Sequence, residues 1–448
     1  MKSRAFLSGC SALLAGMATI LLDPQISAAA SLKFSFGSGP APAGYTQVLP
    51  TNAYSKQRGY GFEAGTGASL LDHGAADSSH RSSVVGTKPF FFSARVPEEG
   101  NYRVTVTLGD ATGPTTTTIK AELRRLMVEK VQTTAGEFKT VNFIVNTRTP
   151  VIKAVNGIKA GKVRLKAPRE TTQEAWDWDN LLTLEFDNTR PAVSTIEITP
   201  MDVPTVFVIG DSTVCDQSRE PYASWGQMLT RFFKPQVAVA NHAESGETYR
   251  DSLGRRRLDK ILSLMKPGDY LIMQFGHNDQ KQIKAGTGGP FTTYKQDIKK
   301  FVDGVRAHKG IPVIVSPMER RNFDEHGRIE PSLSDYAKAA HQSADELGVA
   351  FIDLHAMSIP FYEALGPGKA EKAFAEASPG KYDKTHHCNY GAYELAKCIV
   401  QGIKDDKLPL ASFITDDFKG FDPAQPDSME TFDVPPSPLY TNERPLGD

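Results

Sequence analysis

Thr205-Val206-Phe207-Val208-Ile209-Gly210-Asp211-Ser212-Thr213 is the stretch on which the reading of this chain turns. Five apolar or β-branched residues run without alternation into Gly-Asp-Ser. Such a run, bounded by turn residues, reads as a strand buried on both faces. The carboxyl end of that kind of strand is where an open α/β sheet places its ligands. A serine hydroxyl standing there, just after a glycine that can turn sharply, is a candidate nucleophile. Gly-Asp-Ser also makes ordinary turns and helix caps, so the rest of the chain has to decide between the two.

Downstream of Pro204, strand patterns at 205–210, 236–243, 269–276, 311–318 and 349–355 alternate with helical patterns near 224–233, 253–265, 294–308, 334–347 and 391–404. This alternation predicts a parallel, doubly wound sheet with right-handed crossovers. Upstream the texture is different. Lys33–Phe36, Phe90–Val96, Tyr102–Leu108, Thr117–Leu123, Phe138–Val145 and Leu181–Phe186 are short strand candidates separated by turn signals, with no helices between them. They predict a sandwich or jelly roll. The fold class is therefore α/β preceded by an all-β domain, with a leader at 1–30, the sandwich at 31–200, the α/β domain at 201–410 and an extended segment at 411–448. Thr195–Ile198 still reads as a strand and belongs to the sandwich or to the boundary near Met201.

Residues 1–30 carry Lys2 and Arg4, an apolar region through Leu22 and Ala28-Ala29-Ala30, the order of a secretory signal. The protein is expected to be secreted or periplasmic. Leu7-Ser8-Gly9-Cys10 resembles a lipid-attachment box but precedes most of the apolar region, so lipidation is not expected. No later stretch is long and apolar enough to span a membrane, and no membrane partner is expected. The 448 residues carry a formal charge of −1, with 40% hydrophobic and 23% charged residues. That balance is ordinary for a globular protein and lacks the basic stripe of a nucleic-acid partner. Nothing in the sequence bears on oligomeric state.

Three further blocks of polar residues fall at strand ends or in loops that a doubly wound sheet brings to one crevice: Asn241–Thr248, Gly276-His277-Asn278-Asp279 and Asp383-Lys384-Thr385-His386-His387. A nucleophilic hydroxyl needs a base, and the base needs a partner that fixes its tautomer. Asp383 and His386, on one loop, can supply both. Acyl transfer also needs donors aimed at the developing oxyanion, and the Ser212 N–H, the Gly246 N–H and the Asn278 amide suit that task. The spacing does not follow the Gly-x-Ser-x-Gly elbow, because Val214 occupies the final position. Asp383, His386, His387 and Cys388 also read as a metal cluster, but that reading needs His242 and His277 to join and leaves Ser212 unexplained. His387, His308 and His355 are expected to be packing residues.

Gly210-Asp211-Ser212, Gly246, Gly276-His277-Asn278-Asp279 and Asp383-x-x-His386 together resemble the four ordered blocks of the GDSL/SGNH hydrolases. Gly-Asp-Ser-Thr, Gly-His-Asn-Asp and Asp-x-Thr-His followed by Gly-Ala are similar to the rhamnogalacturonan acetylesterases of carbohydrate esterase family twelve. The resemblance implies a flavodoxin-like fold, Ser212 as nucleophile, His386 as base and then acid, Asp383 as its orienting carboxylate, and Ser212, Gly246 and Asn278 as the oxyanion hole. It also implies no metal, no cofactor, and an acetylated polysaccharide substrate, rhamnogalacturonan above others in pectin degradation. Esterase or acetyltransferase action on another polysaccharide such as xylan, and an inactive carbohydrate-binding protein, are the alternatives. Glu247-Thr248 departs from the Arg-Ser frequent in relatives, so contacts to an acidic sugar differ here. The N-terminal texture resembles galactose-binding-like jelly rolls. Tyr45, Tyr54, Tyr60, Phe62, Trp176 and Trp178 are read as core or edge packing rather than as a sugar-stacking surface. Cys215, Cys388 and Cys398 remain after the leader; a Cys215–Cys388 bridge across the site is expected, with Cys388–Cys398 as competitor.

Overall fold

The computed structural model describes residues 31–65, 68–74, 81–155 and 157–438. The expected leader with its Cys10, and the last ten residues of the expected C-terminal segment, lie outside the described residues.

Strand Thr205–Gly210 is the second strand of a five-stranded parallel sheet. Its neighbours are Ala238–Asn241 on one side and Tyr270–Gln274 on the other, followed by Ile311–Val315 and Ala350–Ile352. In chain order this is 2-1-3-4-5, the flavodoxin-like order, whose switch point lies at the carboxyl ends of the first and third strands. The unbroken apolar run has a direct structural cause, since both faces of the strand are covered. Val206 and Val208 enter one core with helices Trp225–Leu229, Leu354–Ala370 and Asn389–Asp405. Phe207 and Ile209 point the other way, into a core with Arg257–Leu264, Lys295–Ala307 and Ser334–Leu347.

Two expected boundaries move for local reasons. The fifth strand ends at Ile352 rather than 355, because the Asp353 side chain accepts the Ala356 N–H and caps a helix over Leu354–Ala370. That helix escaped the sequence reading because Pro360, Gly366 and Pro367 lie within it. Asp383–His387, expected in a loop, instead belongs to a strand. Lys381–His387 pairs antiparallel with Phe374–Ser378 through an irregular register. Phe374–Ser378 is short and small-residued, and Lys381–His387 is almost wholly polar, so no apolar alternation marked them.

Upstream, two five-stranded sheets face one another. One orders Phe138–Thr147, Gly100–Gly109, Thr195–Pro200, Leu32–Phe36 and Thr46–Val48; the other orders Tyr60–Phe62, Phe90–Arg95, Leu181–Asp187, Thr115–Ala121 and Arg125–Thr133. Thr195–Pro200 closes the sandwich between Leu32–Phe36 and Gly100–Gly109. The core is aromatic: Phe36 meets Phe92 edge-on at 5.0 Å, and Phe90 stacks on Phe186 at 5.1 Å. Tyr54, Phe62, Trp176 and Trp178 are buried, whereas Tyr45 and Tyr60 are half-buried. Four of the six candidate stacking aromatics are therefore packing residues.

The sandwich packs directly on the α/β unit through Arg125–Thr133, a strand the sequence did not announce. Leu126 joins the core beneath helix Trp225–Leu229. Arg125 Nε donates to Asp216 at 2.6 Å and its Nη2 to Asp177 at 2.7 Å, all three side chains being buried. Arg124 donates to the Gln217 and Tyr222 carbonyls. Past the short helix Pro409–Phe413 the chain runs irregularly over helix Asn389–Asp405 and on to the sandwich. There Ser437 Oγ donates to Glu185 and Lys120 donates to the Pro435 carbonyl.

Candidate active site

Ser212 sits in the turn that follows strand Thr205–Gly210. Gly210 is required there by crowding, since a Cβ would lie 2.5 Å from both the Gln274 carbonyl oxygen and Val214 Cγ2. After it the chain folds back tightly, with the Val214 and Cys215 N–H groups both donating to the Asp211 carbonyl at 3.0 Å. Asp211 is buried and accepts from the Thr213 N–H and hydroxyl. Burial works to raise its carboxyl, but His277, 3.4 Å away, and the Thr213 bonds hold it below the ordinary value. Asp211 thus serves the turn.

Hairpin Phe374–His387 brings the other two residues. His386 Nε2 lies 2.9 Å from Ser212 Oγ, and His386 Nδ1 lies 3.0 Å from Asp383 Oδ2. Asp383 also accepts the Thr385 and His386 backbone N–H groups at 2.6 and 2.9 Å. Burial pushes its carboxyl up, but these hydrogen bonds, His386's foremost, hold it well below the usual carboxylate range. Serine, histidine and carboxylate therefore form one hydrogen-bonded line, with the carboxylate charged. The Tyr222 ring stands edge-on to the His386 ring at 5.9 Å.

Beside this line are donors without acceptors. Among the described residues neither the Ser212 N–H nor the Gly246 N–H has a protein partner. Gly246 is exposed within an otherwise buried stretch from Asn241 to Tyr249, and its φ of +73° is a left-handed conformation that favours glycine. Thr248 caps the following helix with Asp251 in a reciprocal pair, which pins the loop's far end. The Asn278 amide donates to the Glu247 carbonyl at 3.2 Å, while its oxygen accepts from Lys281 Nζ at 2.8 Å. That leaves one amide hydrogen to spare. Gln217 Nε2 donates to the Ser212 carbonyl at 2.6 Å, holding the peptide that carries the nucleophile.

The remaining candidates disperse. His387 is buried against Phe374 with Nε2 2.9 Å from the Tyr362 hydroxyl, and burial holds its imidazole down at about 3. His242 is buried beside Trp178 and Phe207, and burial among several arginines pushes its pKa far down. His308 bonds the Gly304 carbonyl, and His355 bonds Glu319 at 3.1 Å. Among the described residues no group of three or more His, Cys, Asp or Glu is arranged to hold a metal ion. The expected disulfide is corrected: all three cysteines are free. Cys215 turns beneath the strand end, its Sγ 3.3 Å from Ser245 Oγ, whereas Cys388 Sγ faces the Lys372 carbonyl on the far side of the hairpin. Contact between Ser212 and His386 side chains does not carry their neighbours' thiols together.

Residues missed by the sequence reading come from elements far away in the chain. Gln217, Arg320 and the sandwich-borne pair Lys166 and Arg169 all touch the site's loops. They sit in aperiodic loops without a spacing signature, so no local signal marks them.

Two regions of the chain match known protein families. The family model of the GDSL-like lipase/acylhydrolases matches residues 208–386. A second model, the β-agarase/YXIM esterase-like, galactose-binding domain-like family, matches residues 32–141. Rhamnogalacturonan acetylesterase RhgT of Bacillus subtilis is 40% identical over 215 residues, which is 46% of this chain and 91% of that protein. The uncharacterized esterase YxiM of the same organism is 28% identical over 385 residues, covering 83% of this chain and 90% of YxiM. A crystal structure of Bacillus subtilis YxiM aligns with a TM-score of 0.45 at 24% identity, covering 85% of this chain and 99% of that one.

Proposed function

The chain belongs to the GDSL-like lipase/acylhydrolase family, and from that premise we propose that it is a serine acetylesterase that deacetylates plant cell-wall polysaccharide, rhamnogalacturonan above others. The observation that carries the reading is the Ser212–His386–Asp383 hydrogen-bonded line beside three spare donors. Relatives bearing the name rhamnogalacturonan acetylesterase support the choice of substrate.

In the proposed reaction Ser212 Oγ forms a bond to the acetyl carbonyl carbon while His386 Nε2 takes the hydroxyl proton. Asp383 stabilises the imidazolium and keeps Nδ1 protonated. The carbonyl oxygen becomes an oxyanion and is met by the Ser212 and Gly246 N–H groups and the Asn278 amide. The ester C–O bond then breaks, the imidazolium proton passes to the departing sugar oxygen, and acetyl-Ser212 remains. Water gives a proton to His386 and attacks the acyl carbon, and collapse returns the proton to Ser212 as acetate leaves. No bond change in this sequence draws on a metal or a redox cofactor.

The charge, apolar run and Ala28-Ala29-Ala30 of residues 1–30 support export, which suits a polymeric substrate that stays outside the cell. The test is acetate release from acetylated rhamnogalacturonan and acetylated xylan by wild type and Ser212→Ala. We expect rhamnogalacturonan to be preferred and the variant to be inactive. Full activity in the variant would remove the proposed nucleophile, and a preference for xylan would remove the proposed substrate.

A further inference from the structure

Besides Arg124, which holds the Gln217 and Tyr222 carbonyls, the connection between sandwich strands Phe138–Thr147 and Leu181–Asp187 reaches the active site through Lys166 and Arg169. Lys166 Nζ donates to the Ser245 carbonyl at 2.5 Å, and Arg169 Nη2 donates to Ser245 Oγ at 2.7 Å. Ser245 precedes Gly246, so the carbonyl that Lys166 grips and the spare Gly246 N–H belong to a single peptide unit. That peptide is trans, so its C=O and N–H point in opposite directions in one plane. Fixing the oxygen fixes the direction of the N–H. A cation on the oxygen also polarises the amide and makes its N–H a stronger donor.

We propose that Lys166 of the N-terminal domain is a positioning residue for the oxyanion hole, aiming and polarising the Ser245–Gly246 peptide of the α/β domain. This inference rests on the esterase reading above. Gly246 has no side chain of its own to brace its left-handed backbone. The loop is tied at one end by the Glu244 N–H donating to the Gly210 carbonyl at 3.1 Å and at the other by the Thr248 cap. Between those ties the two cations from the sandwich are the contacts to Ser245, together with Cys215.

Carboxylates surround the pair and hold it in place without consuming its role. Arg169 Nε lies 2.6 Å from Glu174 and 3.6 Å from Glu244, and Lys166 Nζ lies 3.4 Å from Glu247 and 3.9 Å from Glu244. Lys166 keeps its shortest bond for the carbonyl. In this arrangement the N-terminal domain is a structural part of the catalytic apparatus. Glu247, next to Gly246, lies 3.4 Å from Lys166 Nζ and 3.2 Å from each of Arg255 Nε and Arg257 Nε, so it helps to seat Lys166 among cations of the α/β domain itself.

The test uses the full chain and 4-nitrophenyl acetate, an ester too small to depend on sugar contacts. Lys166→Met, Lys166→Gln and Lys166→Arg form a series of lost donor, neutral donor and retained cation. Lys166→Met should lower kcat about tenfold and leave KM within about twofold, a fraction of the loss caused by deleting an oxyanion donor outright. Phenylboronic acid forms a tetrahedral anionic adduct on a reactive serine, and its inhibition constant should rise by the same factor. Lys166→Gln should lie between, and Lys166→Arg should recover most of the rate. Arg231→Met, which breaks the interdomain pair with Glu129 elsewhere on the boundary, should leave kcat unchanged. Wild-type kcat in Lys166→Met, a loss confined to KM, or an equal loss in Arg231→Met would each overturn the inference. Should Lys166→Met fail to fold, the Gln-to-Arg ratio of kcat decides in the same way: a ratio near one overturns it. Activity retained in Ser212→Ala would instead strike the esterase reading itself.

Discussion

Nucleophile and base are held by two opposite kinds of structure. Ser212 is 8% exposed and follows a strand whose six residues are all buried. Asp383 and His386 have 25% and 31% of their side-chain surface exposed and ride on a two-stranded hairpin with a broken register. The strand is positioned by two hydrophobic cores, and any displacement of Ser212 has to disturb both. The hairpin is rooted in one of those cores by Phe374, and beyond that root polar contacts position it: Arg321 to the Tyr382 and Asp383 carbonyls, the Ala223 N–H to the His387 carbonyl, and Tyr362 to His387. The lesson is that the nucleophile is fixed by core on both faces of its strand, while the acid–base pair extends from a core-anchored root and is held there by hydrogen bonds worth about 1 kcal/mol each.

Mutations on the two sides should therefore separate chemistry from stability. The largest effect falls on the nucleophile: Ser212→Ala should lower kcat by about four orders of magnitude or more with an unchanged melting profile. On the base side Asp383→Asn should cost up to about 10⁴-fold, because the amide no longer holds the imidazole in the right tautomer or balances the imidazolium charge. A kcat within about threefold of wild type would show that Asp383 is dispensable. Core truncation should do the reverse. Val208→Ala should lower unfolding stability by about 2 kcal/mol while leaving the kcat of the folded fraction intact, checked by denaturant titration against steady-state rates. Tyr362→Phe should cost only about 1 kcal/mol in the same titration yet reduce kcat, since it frees the hairpin. If Val208→Ala altered kcat more than Tyr362→Phe, the division between a core-held and a bond-held end would fail.

The smallest effect is a pH effect, and its sign distinguishes the two sides. His387 is held down at about 3, well below the value of about 6.5 for an unfolded histidine. Between those values the unfolded chain binds the extra proton, so this contribution is complete above about pH 6.5 and is lost as pH falls toward 3. Asp211, held below the ordinary carboxylate value, keeps its contribution until pH falls below about 3.8. Mild acid should loosen the hairpin before the strand end. Wild type should lose on the order of 1 kcal/mol per pH unit relative to His387→Gln between pH 6 and pH 4. Parallel stability curves for the two proteins would refute it.

The same contrast explains what could be read in advance. Strand Thr205–Gly210 was legible to the residue because burial on both faces leaves a continuous apolar run. Lys295–Ala307 and Ser334–Leu347 were legible because each buries a single stripe. Four polar blocks marked the Ser212, Gly246, Asn278 and Asp383/His386 positions, since the topology brings strand ends together. The hairpin was illegible, because Lys381–His387 is half-exposed and polar throughout. So was the disulfide question, since two side chains in contact say nothing of where residues two or three positions on will point. Lys166 and Arg169 were invisible for a different reason: their meaning depends on how two domains dock, which no local pattern encodes.

The docking has a further consequence at the other end of the chain. Lys120 is buried, and four acceptors surround its ammonium: Glu185, Asp187, the Pro435 carbonyl and Ser437 Oγ. The first two are made with the sandwich; the last two are made only after the α/β domain. Ser437 lies 252 residues beyond Glu185, which at about 5–20 residues per second is roughly 10 to 50 seconds of translation. During that interval a newly made sandwich carries a half-dressed lysine, and the stretch that follows the α/β domain serves as its clasp. The sandwich is thus finished only after the domain it precedes.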